Sequence, residues 1–158
     1  MTRIRAIAAS SAGLVLLLDV LVEQMLVAVK DGVALIPGLL DFSRTWNRGV
    51  SFGLLWQNGD TGRYILIVVL AVVAVGVGIL AWRATNSLAA MGYGLIVGGA
   101  MGNLVGRAIH GAVFDYLFLH LGRMPLFVCN FPDIAISAGV LLLIAESFLT
   151  RQEPLADG

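Results

Sequence analysis

Charge is scarce in this chain. Asp, Glu, Lys and Arg make up 13% of its 158 residues, ten acidic and ten basic, where a soluble domain carries about 25%. The scarcity excludes a solvated disordered polymer, and the missing basic excess excludes nucleic-acid binding through a positive surface. One cysteine, Cys129, excludes an internal disulfide framework. Two histidines, with no His-Glu-x-x-His or paired-cysteine spacing, give no metal signature. Apolar residues dominate instead, at 59% with a mean hydropathy of +0.93. That much apolar surface calls for a bilayer as solvent, and a spanning helix needs about 20 apolar residues.

Four segments meet that requirement, at about 6–29, 64–82, 88–105 and 132–150. The second and third are uncharged and are separated only by the short link 83–87, which predicts a tight antiparallel hairpin. Arg3 and Arg5 before an apolar run imitate a cleavable signal peptide, but no small-x-small cleavage pattern follows convincingly, so the first segment is read as a retained span. Four spans put both ends on one side. The density of basic residues in the short segments places that side in the cytoplasm, and the long connections 30–63 and 106–131 on the outer face.

These connections carry strand and turn signals. Pro37-Gly38 precedes an alternating stretch through Leu40, Phe42, Thr45 and Val50, broken by Asn47-Arg48-Gly49 and ending in Phe52-Gly53. Val113 to Leu119 and Leu126 to Asn130 flank a turn at Gly122 to Pro125. Because irregular backbone at membrane depth needs protein or a wet cavity beside it, a cap over the outer helix ends is expected. The fold class is an α-helical integral membrane protein, with four transmembrane helices and a small extracytoplasmic β-cradle in one domain over 1–158.

Acids within spans need a reason, since a charge at mid-depth costs about 2.5–3.5 kcal/mol by insertion scales. Glu146 lies near a span end and can snorkel. Asp19 and Glu23 share a helix face at i,i+4 and repel unless one is protonated or a cation such as Arg107 lies between them. Asp115 and Asp133, 18 residues apart, flank one outer connection, and a strand, turn and return strand can bring them together. Two close carboxylates share a proton, which leaves one to act as general base toward water. Pro132 suits a first helical turn and puts Asp133 at the positive end of a helix dipole, so Asp133 is expected to be the more acidic partner.

Gly94, Gly98, Gly102 and Gly106 form a small-xxx-small ladder for close helix packing, against another span or a second copy. Asn103 within it is helix glue or a ligand contact. Gly49-Val50-Ser51-Phe52-Gly53 matches G-x-S-x-G, but a nucleophile elbow needs a large α/β sheet that this chain cannot form. A triad of Ser51, Asp115 and His120, and metal ligation by His110, His120 and Asp115, are weaker readings. Cys129 reads as a small buried hydrophobe.

The ordered set of Ile36-Pro37-Gly38, Asp41-Phe42, Asn47 through Gly53, Gly98 through Asn103, Arg107, Gly111 through Tyr116, and Phe127 through Asn130 to Asp133 and Ile136 resembles the bacterial lipoprotein signal peptidase (signal peptidase II) family. The resemblance covers most of the stretch from Asp19 to Gly139. It implies an aspartyl endopeptidase of the bacterial inner membrane, multi-pass and monomeric, with its active site at the extracytoplasmic face and no cofactor or metal. Its catalytic acids fall on Asp115 and Asp133, and its pocket and substrate-binding residues on Asn47, Asn103, Arg107 and Asn130. The implied partners are membrane lipid and a diacylglyceryl-modified prolipoprotein, cut just before the lipidated cysteine. The chain departs from the family at Glu23, usually lysine, at Gly106, usually aspartate, and at Pro132, usually alanine. Those departures keep two alternatives open: an inactive or specialised paralogue, and a small binding or transport protein in which Asp19, Glu23 and Asp133 line an ion path.

Overall fold

Each apolar run is long enough to close its backbone hydrogen bonds internally, which lipid requires, and each is a helix. The computed structural model describes residues 1–49 and 60–150. In chain order these form α1 (Thr2–Leu26), β1 (Val33–Ile36), β2 (Leu40–Asn47), α2 (Asp60–Arg83), α3 (Ser87–His110), β3 (Val113–Leu121), β4 (Met124–Cys129) and α4 (Phe131–Thr150). All four helices have the length and apolarity of a membrane span. The motif residues Val50 to Gly53, with Ser51, lie outside the described residues, as does Arg151.

Helix α3 is the most buried of the four and packs on the other three. Its glycines explain how. A Cβ at Gly94 would lie 2.5 Å from Ala8 O, and one at Gly98 would lie 2.7 Å from Ala12 O, both on α1. On another face, a Cβ at Gly99 would meet Pro132 O at 2.5 Å, and one at Gly139 of α4 would meet Gly92 O at 2.5 Å. The ladder therefore packs within the chain, against α1, while Gly92 and Gly99 seat α4. Gly106 is not a rung, because its Cβ would approach nothing nearer than 3.5 Å.

The link between α2 and α3 is as short as expected. Asn86 caps α3 by accepting from Ala89 N at 2.8 Å, and its amide donates to Glu146 Oε1 at 2.7 Å. Glu146 thus ties α4 to the hairpin instead of extending into water alone.

Several expected boundaries move: α1 covers Thr2–Leu26 where 6–29 was expected, and two further shifts bear on the site. Helix α3 runs five residues past 105, so Gly106 and Arg107 belong to the helix and not to the outer cap. It stops at Gly111, whose φ of 77° forms a left-handed cap with its N–H on Arg107 O at 3.0 Å. Arg63 reinforces that end, donating to Arg107 O at 3.1 Å and Ala108 O at 2.7 Å. Arg63 itself lies in α2, which begins at Asp60, earlier than the uncharged run suggested.

The four strands form one antiparallel sheet in the order β1-β2-β3-β4, joining the two long connections. Gly38 and Gly122, at φ 79° and 57°, turn the two hairpins and touch through Gly122 N to Gly38 O at 2.9 Å. Pro125, expected in the turn, lies in β4, an edge strand where its missing N–H is tolerated. Phe42, Phe114 and Tyr116 form the buried apolar cluster of the sheet, packed by Val22 and Leu26 of α1 and Phe131 of α4. The sheet thus caps the ends of helices that place acids beside it.

Gly98→Ile should destabilise the monomer by on the order of 3 kcal/mol through overpacking against α1. Gly76→Ala, where a Cβ meets nothing within 4 Å, should change stability by less than about 1 kcal/mol. Thermal unfolding in detergent measures the difference. Crosslinking distinguishes an unfolded monomer from a dissociated dimer.

Candidate active site

Asp115 sits in the first, fully buried half of β3, opposite Thr45 of β2. Asn47 is two residues further along β2, on the same face and diagonal to Asp115. Its amide donates to Asp115 Oδ2 at 2.9 Å, and its own carbonyl accepts from Gly49 N at 3.0 Å. The Asn47-Arg48-Gly49 turn therefore fixes the orientation of one carboxylate oxygen.

Asp133 is set by the start of α4. The chain leaves β4 at Cys129, and Asn130 caps the helix. Its Oδ1 accepts from Asp133 N at 3.0 Å, while Asp133 Oδ2 accepts from Asn130 N at 3.3 Å. This reciprocal pair is a capping box built from Asn and Asp. The Asn130 amide nitrogen is then free to donate to Asp115 Oδ1 and Asn103 Oδ1, both at 3.0 Å. Asn103 in turn donates to Asp133 Oδ1 at 3.0 Å. The two acids are thus joined through Asn130 and Asn103, with Asn47 at the far end. No direct hydrogen bond joins the carboxylates among the described residues.

Arg107 lies one turn beyond Asn103 on α3 and is buried. Its guanidinium donates to Asn103 O at 3.1 Å and to Gly49 O at 2.8 Å. It fastens the turn bearing Asn47 to the helix bearing Asn103. It is therefore not the cation between Asp19 and Glu23; Glu23 instead lies 3.7 Å from His110 Nε2.

All six expected site residues, Asp115, Asp133, Asn47, Asn103, Arg107 and Asn130, belong to this cluster, and all but Asn130 line one cavity of about 370 Å³. Asn130, 2% exposed, lies behind it. Apart from Ser137 the remaining wall is apolar: Leu70 and Val73 of α2, Ile96 and Ala100 of α3, Val113 of β3 and Ile136 of α4. The arrangement offers two carboxylates at one end of a lipid-like slot.

The other candidates lie elsewhere or are chemically quiet. His120 donates from Nδ1 to Gly122 O at 2.8 Å, and its Nε2 is 3.1 Å from Asp41, at the hairpin turns. His110 packs against Trp46 with the two rings tilted by 59°. Neither imidazole bonds to Asp115, and no group of three potential metal ligands occurs among the described residues. Burial pushes the Cys129 thiol up to about 11, with Asp133 and Asp115 adding to the effect, so it stays protonated at neutral pH.

Burial likewise pushes Asp115 up to about 7. The hydrogen bond from Asn47 opposes that shift, nearby Asp133 adds to it, and Arg107 opposes it. Asp115 is therefore poised near neutrality, as acid–base catalysis requires.

One contributor escaped the sequence reading. The Tyr116 hydroxyl accepts from Phe131 N at 3.0 Å, binding an otherwise orphan N–H at the start of α4. Tyr116 thereby holds the helix end carrying Asp133 against the strand carrying Asp115. Its signal was a hydroxyl at a strand position where an apolar ring would have sufficed for packing.

Four spanning helices, a β-sheet cap and two acids bridged by asparagine amides define a polytopic membrane protein with a paired-carboxylate pocket. The match to known proteins is more particular. The chain belongs to the signal peptidase (SPase) II family, whose model matches residues 11–149, and it is a bacterial membrane protein. It is 48% identical over 107 residues to a lipoprotein signal peptidase of Methylobacterium radiotolerans, covering 68% of this chain and 63% of that one. The chain thus spans somewhat less than two thirds of that relative's length. It is 36% identical over 152 residues to the lipoprotein signal peptidase of Beijerinckia indica, covering 94% and 91%. Two solved bacterial membrane enzymes, each 18% identical and each matched over 96% of this chain, superpose with TM-scores of 0.80 and 0.73, covering 93% and 94% of their own chains. They share the fold.

Two outcomes follow from this geometry. Tyr116→Phe strands the Phe131 N–H and should cost about 1–3 kcal/mol in thermal unfolding. For Asp115, the folded value of about 7 exceeds the ordinary 3.8, so the folded state keeps a proton that the unfolded chain has released. Its contribution to stability is therefore greatest at low pH and declines as pH rises from about 4 to 7. Unfolding measured across that range should show a decline that Asp115→Asn flattens.

Proposed function

We propose that this protein is an aspartyl endopeptidase that removes the signal peptide from diacylglyceryl-modified prolipoproteins, with Asp115 and Asp133 as its catalytic pair. The observation that carries the reading is the bridge from Asp115 through Asn130 and Asn103 to Asp133 at the end of an apolar cavity. In the resting state the pair holds one proton, on Asp115. Asp133, at the N-terminus of α4, takes a proton from water as the water oxygen attacks the scissile carbonyl carbon. Asp115 gives its proton to the carbonyl oxygen. Collapse of the tetrahedral intermediate breaks the C–N bond, with the departing nitrogen protonated by the pair.

The binding residues follow from the same geometry. Asn47, Asn103 and Asn130 hold the carboxylates at fixed separation; Asn47 and Asn103, which line the cavity, also offer carbonyl and amide groups to the peptide backbone, while Asn130 acts on substrate through the acids it positions. Arg107 keeps the Asn47 turn closed over the pocket. The apolar wall between α2, α3 and α4 suits acyl chains entering from lipid, while the peptide bond lies at the height of the sheet. The whole chain acts as one membrane-embedded domain and works as a monomer. The membrane is the inner membrane, with the sheet and pocket on its extracytoplasmic face. The mechanism requires no metal or cofactor.

Cleavage of a diacylglyceryl-modified precursor by purified protein tests this reading. Asp115→Asn and Asp133→Asn should each lower the rate by at least about a thousandfold, and the double variant should lose little more, because the two act as a unit. Wild-type processing by either single variant would overturn the assignment. The wild-type rate should follow a bell in pH, whose limbs belong to the pair.

A further inference from the structure

A second cavity, of about 570 Å³, opens between α1 and α3, on the other side of α3 from the paired acids. Asp19 and Glu23 line it from α1, His110 from α3 and Trp46 from β2. Asp19 is 7% exposed and accepts no hydrogen bond among the described residues. It points at Gly102, where a Cβ would come within 2.5 Å of its Oδ2. An unpartnered buried carboxylate in a cavity calls for a positive group. Among the described residues no cation bonds to it: the terminal nitrogens of Arg107 donate to Gly49 O and Asn103 O, and His110 lies 3.7 Å from Glu23.

The α1 side of the cavity has the same sign. Helix α1 ends here with no basic residue in its last turn, so its C-terminal carbonyls add a negative dipole end, whereas the end of α3 is met by Arg63 and carries Arg107 and His110. Trp46, with its ring centroid 5.4 Å from that of His110, adds an indole to the rim. Carboxylates with an aromatic face recognise an organic ammonium ion. The described residues contain no three-ligand metal cluster. Apart from Gln24 the remaining wall is apolar, and part of it faces outward, with Val20 37% and Ile109 68% exposed. A ligand there has its charged end at the level of the sheet and its apolar part along the spans.

We propose that this cavity binds the ammonium headgroup of a phospholipid of the surrounding bilayer, with Asp19 and Glu23 as counter-charges and Trp46 as the cation–π surface. The headgroup relieves the repulsion of the two acids at i,i+4, a role that a lysine in place of Glu23 would fill from within the chain. The acyl chains lie along Val20 and Ile109. The site is independent of the peptidase reading.

Native mass spectrometry of the full chain in non-ionic detergent tests the proposal, with equimolar phosphatidylethanolamine and phosphatidylglycerol of matched acyl chains. Phosphatidylethanolamine should be retained about tenfold more. Glu23→Gln and Trp46→Leu should each reduce that preference several-fold, and Asp19→Asn should abolish it. Asp115→Asn should leave it intact, which separates failure here from failure of the catalytic assignment. Equal retention of the two lipids would overturn the proposal, as would a preference unchanged in both Glu23→Gln and Trp46→Leu. Equal competition by water-soluble glycerophosphoethanolamine would overturn the assignment to a bilayer lipid. Glu23 is partly exposed, so its variant remains informative if Asp19→Asn does not fold.

Discussion

The close approach of α3 to its neighbours is the constraint on which the rest of the structure depends. Lipid gives apolar side chains little reason to leave it, so helices in a bilayer associate through close backbone packing and interhelical hydrogen bonds. Bare positions on two faces of α3 permit that contact. Gly94 and Gly98 admit α1, and Gly92 and Gly99 admit α4, with Gly139 of α4 answering Gly92. This docking brings Asn103 within reach of the start of α4, and only then can its amide reach Asp133 at 3.0 Å. A methyl group at Gly99 would push on Pro132 O, next to that acid. Packing and site geometry are therefore set by the same residues.

Asn130 converts the docking into a site. Its carbonyl caps α4 while its amide reaches the opposite strand, so the same side chain that begins the helix also sets the distance between the two acids. Tyr116 adds a second tie across the same gap. Arg107 supplies a third, from α3 to the turn at Gly49. These bonds satisfy polar groups that burial would otherwise penalise. They also leave Asp115 flanked by neutral amides, so that burial prevails over the opposing bond from Asn47 and raises its proton affinity.

The four spans were legible because lipid demands long apolar runs, and the strands because glycine turns punctuate alternating residues. The helix ends were less so. Arg107 looks like the first residue of a polar connection, yet its charge is met by two backbone carbonyls, one of them 58 residues away in the chain, and no local pattern reports that. Gly106 continues the four-residue spacing but faces only Ala112 and Val113, at 3.5 Å or more, since spacing records a face without recording where the partner helix departs. The composition of the site was visible in Asp115 and Asp133. The bridging work of Asn130 was not, because it depends on partners 15 and 27 residues away that only the folded chain assembles.

One departure from the family pattern, Pro132, bears on both sides of α3. Pro132 is fully buried, and its ring lies beside the bare face of Gly102, where a Cβ would meet Pro132 Cγ at 3.2 Å and Asp19 Oδ2 at 2.5 Å. The ring and the carboxylate therefore share the space that this glycine leaves open. Proline suits the first turn of α4, where its missing N–H removes one orphan donor and its fixed φ favours the helix. With Phe131 N held by Tyr116 and Asp133 N held by Asn130, the opening turn of α4 has no free donor among these three positions. The rigidity of that turn holds Asp133 on one side of α3, and the same packing confines Asp19 on the other. The paired-acid pocket and the α1–α3 cavity thus share one wall, in which Gly102 is the thinnest point.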